Sequence, residues 1–198
     1  MTKTKPLSHG YLEEIVPYQA GKPIEELARE KGLTTISKLA SNENPLGPSK
    51  SCVEVVEKSL SNLNRYPDMN GHDLKKALSD HHGIAPERII LGSGSEGVMT
   101  YIAKAFLGVG DEVLTSSNSF IGFYIIAKAS GASLKLISPR KSHQFDMETI
   151  EKSITPKTKI IYLANPNNPT GTIITKSELE SLLKKCPPNI IIIMDEAY

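Results

Sequence analysis

The sequence is poor in the features that would make it a stapled, metal-bound or membrane-borne protein. Its 198 residues hold two cysteines, Cys52 and Cys186, in no CxxC or Cys/His spacing. That excludes a disulfide framework and reads as two reduced thiols in a reducing compartment. The histidines (His9, His72, His81, His82, His143) form no HExxH, and the His81-His82 pair reads as a solvated helix end, so no metal site is expected. The longest apolar runs, Ile190 to Met194 and Ile160 to Ala164, fall far short of the ~20 residues that span a bilayer. MTKTKPLSHG at the start is basic but lacks an apolar stretch, so no signal peptide is expected and a cytoplasmic protein is. Neither sign of charge dominates: 23 Lys+Arg against 22 Asp+Glu leave +1. There is no electrostatic case for nucleic acid or an anionic membrane as partner.

What is present is ordinary globular material, 39% hydrophobic and 23% charged, enough by the ~150-residue prior for one domain and a part. Residues 1–48 read as an arm broken by Pro6, Pro17, Gly21, Pro23, Pro45, Gly47 and Pro48, with one short helix, Ile24 to Lys31, stopped by Gly32. Residues 49–198 read as the second region. A helix is predicted from Ser49 to about Leu60, with Val53, Val56 and Leu60 on one face. Arg65-Tyr66-Pro67 makes an extended break, and a third helix runs from about Asp73 to His82, ending at Gly83.

From Arg88 short apolar strands alternate with amphipathic helices. Strands are predicted at Ile89 to Leu91, Val113 to Leu114, Ser133 to Ile137, Ile160 to Leu163 and Ile190 to Met194. Helices are predicted up to Leu107, over Ser119 to Ser130, Met147 to Ser153 and Ser177 to Lys185. This is the texture of an α/β fold, a mostly parallel sheet with helices on both faces. The sequence stops directly after its most apolar strand, so the chain is expected to be the N-terminal portion of a longer protein.

In such a sheet, ligands sit outside the carboxyl ends of the strands. Four polar, turn-rich segments fall there: Gly92 to Gly97, Thr115 to Phe120, Asn165 to Gly171 and Asp195 to Tyr198. Gly92-Ser93-Gly94-Ser95-Glu96-Gly97 can bring backbone N–H groups of a helix start to an anion, or be a plain strand-to-helix turn. Its formal GxGxxG also suggests a dinucleotide site, a reading the following residues reduce to a minority one. The acidic residue such a site wants ~20 positions on is replaced by Ser116, Ser117 and Asn118, while Asp111 and Glu112 sit at the wrong edge. In Asn165-Pro166-Asn167-Asn168-Pro169-Thr170-Gly171 the prolines restrain Asn165 and Asn168, whose carboxamides can serve a ligand; Asn167 suits an Asx turn. Asp195, at the mouth of an apolar strand, needs a cationic or protonated partner, either in a ligand or, as a buried salt bridge, a distant Arg or Lys. Phe120 can stack on a flat ligand or pack in the core, and Tyr66 can simply pack.

Taken together, Leu39-Ala40-Ser41-Asn42-Glu43-Asn44-Pro45, Arg65-Tyr66-Pro67, the Gly92 loop, Ala164 to Gly171 and Asp195 to Tyr198 resemble the first half of the fold-type I pyridoxal-phosphate aminotransferases. The Leu39 to Pro45 segment resembles the histidinol-phosphate branch and its near relatives. The resemblance implies pyridoxal 5'-phosphate as cofactor. Gly94, Ser95 and Glu96 would hold its phosphate, Phe120 would stack on the ring, and Asn168 and Tyr198 would bond the phenolic oxygen. Asp195 would pair with the ring nitrogen. Tyr66 would reach the phosphate of a neighbouring subunit, which implies a homodimer, and Tyr18 and Asn44 would line the substrate side. The implied activity is transamination between histidinol phosphate and glutamate, with imidazole acetol phosphate and 2-oxoglutarate as the keto partners, in histidine biosynthesis.

Relatives usually carry Gly-Asn-Gly-Ser-Asp-Glu where this chain has Gly92-Ser93-Gly94-Ser95-Glu96-Gly97. No lysine here matches the family's Ser-x-x-Lys context, so the Schiff-base lysine is expected beyond Tyr198 and the fragment alone is expected to be inactive. The alternatives are an aromatic-amino-acid aminotransferase, a threonine-phosphate-type decarboxylase, a dehydrogenase, and a non-catalytic cofactor-binding fragment.

Overall fold

The computed structural model describes residues 7–18 and 21–198. These form two compact units, one of residues 7–18 with 90–198 and the other of residues 21–89.

In the second unit, turn chemistry sets each helix. Helix α1, Ile24–Lys31, begins after Pro23 and ends where Gly32 takes the left-handed conformation at φ 63°, as its lack of a Cβ permits. Helix α2, Lys50–Ser59, starts where the Ser49 hydroxyl accepts the Cys52 N–H, satisfying one of the orphan donors of the first turn. Helix α3, His72–His82, stops at left-handed Gly83. The Val53, Val56 and Leu60 face predicted for α2 is exposed.

The other unit is built on a parallel sheet. After helix α4, Gly94–Phe106, the chain runs β1 (Glu112–Ser116), α5 (Ile121–Ala129), β2 (Ser133–Ile137), α6 (Met147–Lys152), β3 (Thr158–Ala164), α7 (Lys176–Lys185) and β4 (Ile191–Asp195). All pairings are parallel, in the order β2-β1-β3-β4. Alternate residues divide between two cores, as a pleated strand requires. Val113, Ile160, Tyr162, Ala164 and Ile193 pack with Met99 of α4 and Phe123 and Ala127 of α5. Leu114, Ile161 and Leu163 pack with Met147 and Ile150 of α6 and Leu182 of α7 on the other face.

The strand expected at Ile89 to Leu91 does not form. A strand is defined by ladder partners, not by apolarity; among the described residues none pairs with this segment, and Ile90 is exposed.

From β1 the chain moves outward to β2, and from β3 it moves the opposite way to β4. The order therefore reverses between β1 and β3, and a crevice opens at the carboxyl end of such a switch point.

Candidate functional site

The loops that leave the strands at this point are tied to one another by hydrogen bonds. After β1, the Tyr124 hydroxyl donates to the Ser116 carbonyl and accepts from the Ser119 N–H at 2.8 Å. Burial pushes the Tyr124 phenol up to about 12, against the opposing effect of the Ser119 N–H, so it remains a donor. The Ser119 hydroxyl donates to Asn167 Oδ1 at 2.8 Å, and Asn167 Nδ2 donates to the Asn118 carbonyl at 3.0 Å and to Thr170 Oγ1 at 2.8 Å. Asn167 is buried. Its carboxamide thus joins the loop after β1 to the loop after β3, instead of closing the Asx turn expected of it. The Ile174 N–H donates to Asn165 Oδ1 at 2.8 Å, and the Asn165 N–H to the Asp195 carbonyl at 2.9 Å, which joins the loop after β3 to the end of β4. So Asn165 also holds the frame, and it does not line the cleft built on it. Both Asn165–Pro166 and Asn168–Pro169 are cis.

Ser95, Phe120, Ala164, Pro166, Asn168, Asp195, Ala197 and Tyr198 line one cleft of about 70 Å³ on this frame. Asp195 pairs in register with Ala164, two positions beyond the Tyr162–Ile193 pair, so its side chain projects on the α4/α5 face. Asn168 Nδ2 donates to the Tyr198 hydroxyl at 3.4 Å.

The cleft gathers complementary chemistry. At α4, Ser93 occupies the cap position but makes no side-chain cap; α1, α3 and α5 also lack one, whereas Ser49, Asp146 and Thr175 cap their helices. The first N–H groups of α4 are left to an incoming acceptor. Gly94, at φ 68°, has open space where a Cβ would stand. Gly92 cannot take a side chain, since its Cβ would lie 2.9 Å from the Val98 backbone nitrogen. The Phe120 ring folds back over Gly122, where a Cβ would meet it at 2.6 Å and the Glu96 carboxylate at 3.0 Å. The glycine at 122 makes room for both.

Asp195 has no cationic side-chain partner among the described residues. Instead the Tyr162 hydroxyl donates to Oδ2 at 2.6 Å and the Ala197 N–H to Oδ1 at 3.3 Å. Burial, and next the Asp195 carboxylate it serves, hold the Tyr162 phenol far above the usual tyrosine range. Tyr162 was not singled out in the sequence, where it reads as one more core residue of an apolar strand. Its signal was a hydroxyl in a buried run that had to find an acceptor.

Gly94 and Glu96 flank Ser95 in the first turn of α4. Tyr18 does not line the cleft, and Asn44 and Tyr66 belong to the unit of residues 21–89. Tyr18 and Tyr66 are exposed. The Asn44 carboxamide is spent on its own turn, accepting the Leu46 N–H at 3.0 Å and donating to the Gly47 carbonyl at 3.1 Å.

The aminotransferase class I and II family model matches residues 34–198. Over 187 residues the chain is 46% identical to histidinol-phosphate aminotransferase 1 of Mannheimia succiniciproducens, covering 94% of this chain and 51% of that protein. Its fold aligns with the histidinol-phosphate aminotransferase of Sinorhizobium meliloti solved in complex with pyridoxal-5'-phosphate, at TM-score 0.86 and 24% identity, over 100% of this chain and 53% of that one. The enzyme of the same name from Clostridium acetobutylicum aligns at TM-score 0.71 and 30% identity, over 80% of this chain and 46% of that one. The chain spans about half the length of the curated relatives it matches.

Proposed function

The chain belongs to the class I and II aminotransferase family, and on that premise we propose that its full-length protein is a pyridoxal-phosphate-dependent transaminase. It exchanges an amino group between histidinol phosphate and glutamate, giving imidazole acetol phosphate and 2-oxoglutarate as the keto partners, in histidine biosynthesis. The observation that carries this reading is a carboxylate without a cation and a helix start without a cap, Asp195 and Ser95, opening on one cleft.

The residues fit the cofactor group by group. The uncapped first turn of α4, with Gly94, Ser95 and Glu96, supplies backbone donors and the Ser95 hydroxyl for a phosphate. Phe120 offers a flat apolar face to the ring. Asn168 and Tyr198 offer a carboxamide and a hydroxyl to a phenolic oxygen. Asp195 offers a counter-charge to a protonated ring nitrogen, which also accounts for an acidic residue at the mouth of an apolar strand. When bound, the cofactor supplies an electron sink for the pair released as the substrate Cα loses its proton.

The protein's part is to bind, orient and hold charge. Hydrogen bonds from the Asn167 hub keep the Phe120 and Asn168 loops in fixed relation, so donors need not reorganise as charge develops. Residues 1–48 are the arm and small-domain segment, and 49–198 the N-terminal part of the cofactor domain. Tyr66 reaches the phosphate bound by a partner subunit, in a cytoplasmic homodimer, while Tyr18 and Asn44 shape the substrate side, Asn44 through the turn it closes.

The test is borohydride reduction of the full-length protein with cofactor, followed by peptide mapping. A pyridoxyl-lysine adduct outside residues 1–198 is expected, and its absence overturns the reading. Turnover of histidinol phosphate beside phenylalanine identifies the substrate: preference for phenylalanine would replace the histidinol-phosphate assignment.

A further inference from the structure

Tyr162 is the one side chain that donates to Asp195 among the described residues, and it is fixed at every point. Its backbone carbonyl accepts the Thr115 hydroxyl at 2.7 Å. Its ring lies on that of Phe123, centroids 4.2 Å apart and planes 20° from parallel, and it is wholly buried. The phenol so held donates to Asp195 Oδ2 at 2.6 Å.

The chemical type of this partner matters. An arginine or lysine there would cancel the carboxylate's charge and compete with any cation in the cleft. A neutral donor holds the carboxylate in place without adding a charge of its own beside it. The phenol cannot lose its own proton in exchange, because burial and the adjacent carboxylate both oppose its ionisation.

We propose that Tyr162 is a positioning residue: its hydrogen bond to Oδ2 aims the Asp195 carboxylate, so that the proton shared with the cofactor's ring nitrogen stays on the nitrogen. This rests on the cofactor assignment above, and the experiment separates the two. The full-length protein is loaded with pyridoxal phosphate isotope-labelled at the ring nitrogen, and that resonance is read by NMR in four forms: wild type, Tyr162→Phe, Asp195→Asn and Thr115→Val.

Tyr162→Phe keeps the ring and its stack on Phe123. Its resonance is expected to move from the protonated position toward the free-base position, with kcat falling about 10-fold, the equivalent of one pKa unit, and KM for the amino donor unchanged. Asp195→Asn moves the resonance further. Thr115→Val loosens the Tyr162 backbone but spares the hydroxyl, and leaves the resonance in place. If Asp195→Asn moves the signal and Tyr162→Phe does not, the positioning role is wrong and the cofactor assignment stands. Should Thr115→Val move it as far as Tyr162→Phe, general packing is responsible and the proposal falls. If Asp195→Asn leaves it unmoved, the cofactor assignment fails and this proposal with it.

Discussion

Residues 21–89 and residues 90–198 obey different rules. The first region has three α-helices, two short 3-10 turns and no buried residue; the second holds every buried hydrophobic residue among those described, from Met99 onward. Yet both regions have crisp element ends. Helices α1, α2 and α3 are bounded by Gly32, Ser49 and Gly83, none of which depends on a core. Local capping therefore delimits an element wherever it lies, and burial is a separate contribution that only the sheet and the helices packed on it receive.

The sharpest way to break this contrast is truncation. Phe123→Ala, in the core between α5 and β3, is expected to cost about 3–5 kcal/mol, because transfer energy is lost and a cavity remains. Val56→Ala on exposed α2 is expected to change stability by less than ~0.5 kcal/mol. Urea unfolding of the chain compares them, and equal costs would mean that the α2 face is covered.

A second difference appears at alkaline pH. Tyr124 has its pKa raised from 10.0 to about 12 in the folded state, so folding favours its protonated form. Its contribution is complete below pH 10 and is lost as pH rises toward 12, where the unfolded chain ionises first. Discounted for solvent screening of a partly exposed group, the loss is on the order of 1–2 kcal/mol. Tyr162, shifted in the same direction, adds to it. Tyr124→Phe should flatten the decline measured by unfolding between pH 9 and pH 11.5, and a slope unchanged by the substitution would remove this account.

The smallest effect concerns the caps. Thr175 and Glu178 form a reciprocal capping box at α7, so Thr175→Ala should cost about 1 kcal/mol. Ser93→Ala should be nearly neutral in the same thermal melt, since its hydroxyl caps nothing. A matching loss at Ser93 would show that α4 is closed by its own residue, and its first turn would no longer be open to an anion.

Much of the fold was legible in the residues. Ser133–Ile137 forms over the predicted span, as does Ile24–Lys31, and the remaining helices and the strands that form agree within a few residues. Turn-formers and apolar periodicity act over short distances, and those distances are written in the chain. The cleft was legible in part: Ser95, Phe120, Asn168, Asp195 and Tyr198 share it because each follows a strand or opens a helix at one edge of the sheet. Where the reading went wrong, the missing information was a partner. Ile89 to Leu91 has strand composition and no ladder neighbour. Asn167 looked like a turn residue and became the pin between two loops.

By itself, the sequence determined where elements begin and end, that the sheet is parallel and covered on both faces, and which turns carry polar side chains. Those follow from backbone sterics and from hydrophobic period, which are local. Only the tertiary structure decided that Asp195 meets a phenol and no cation, and that α4 keeps an open first turn. Hydrogen-bond partners 33 residues apart, as Tyr162 and Asp195 are, are chosen by strand register, and register is a property of the assembled sheet.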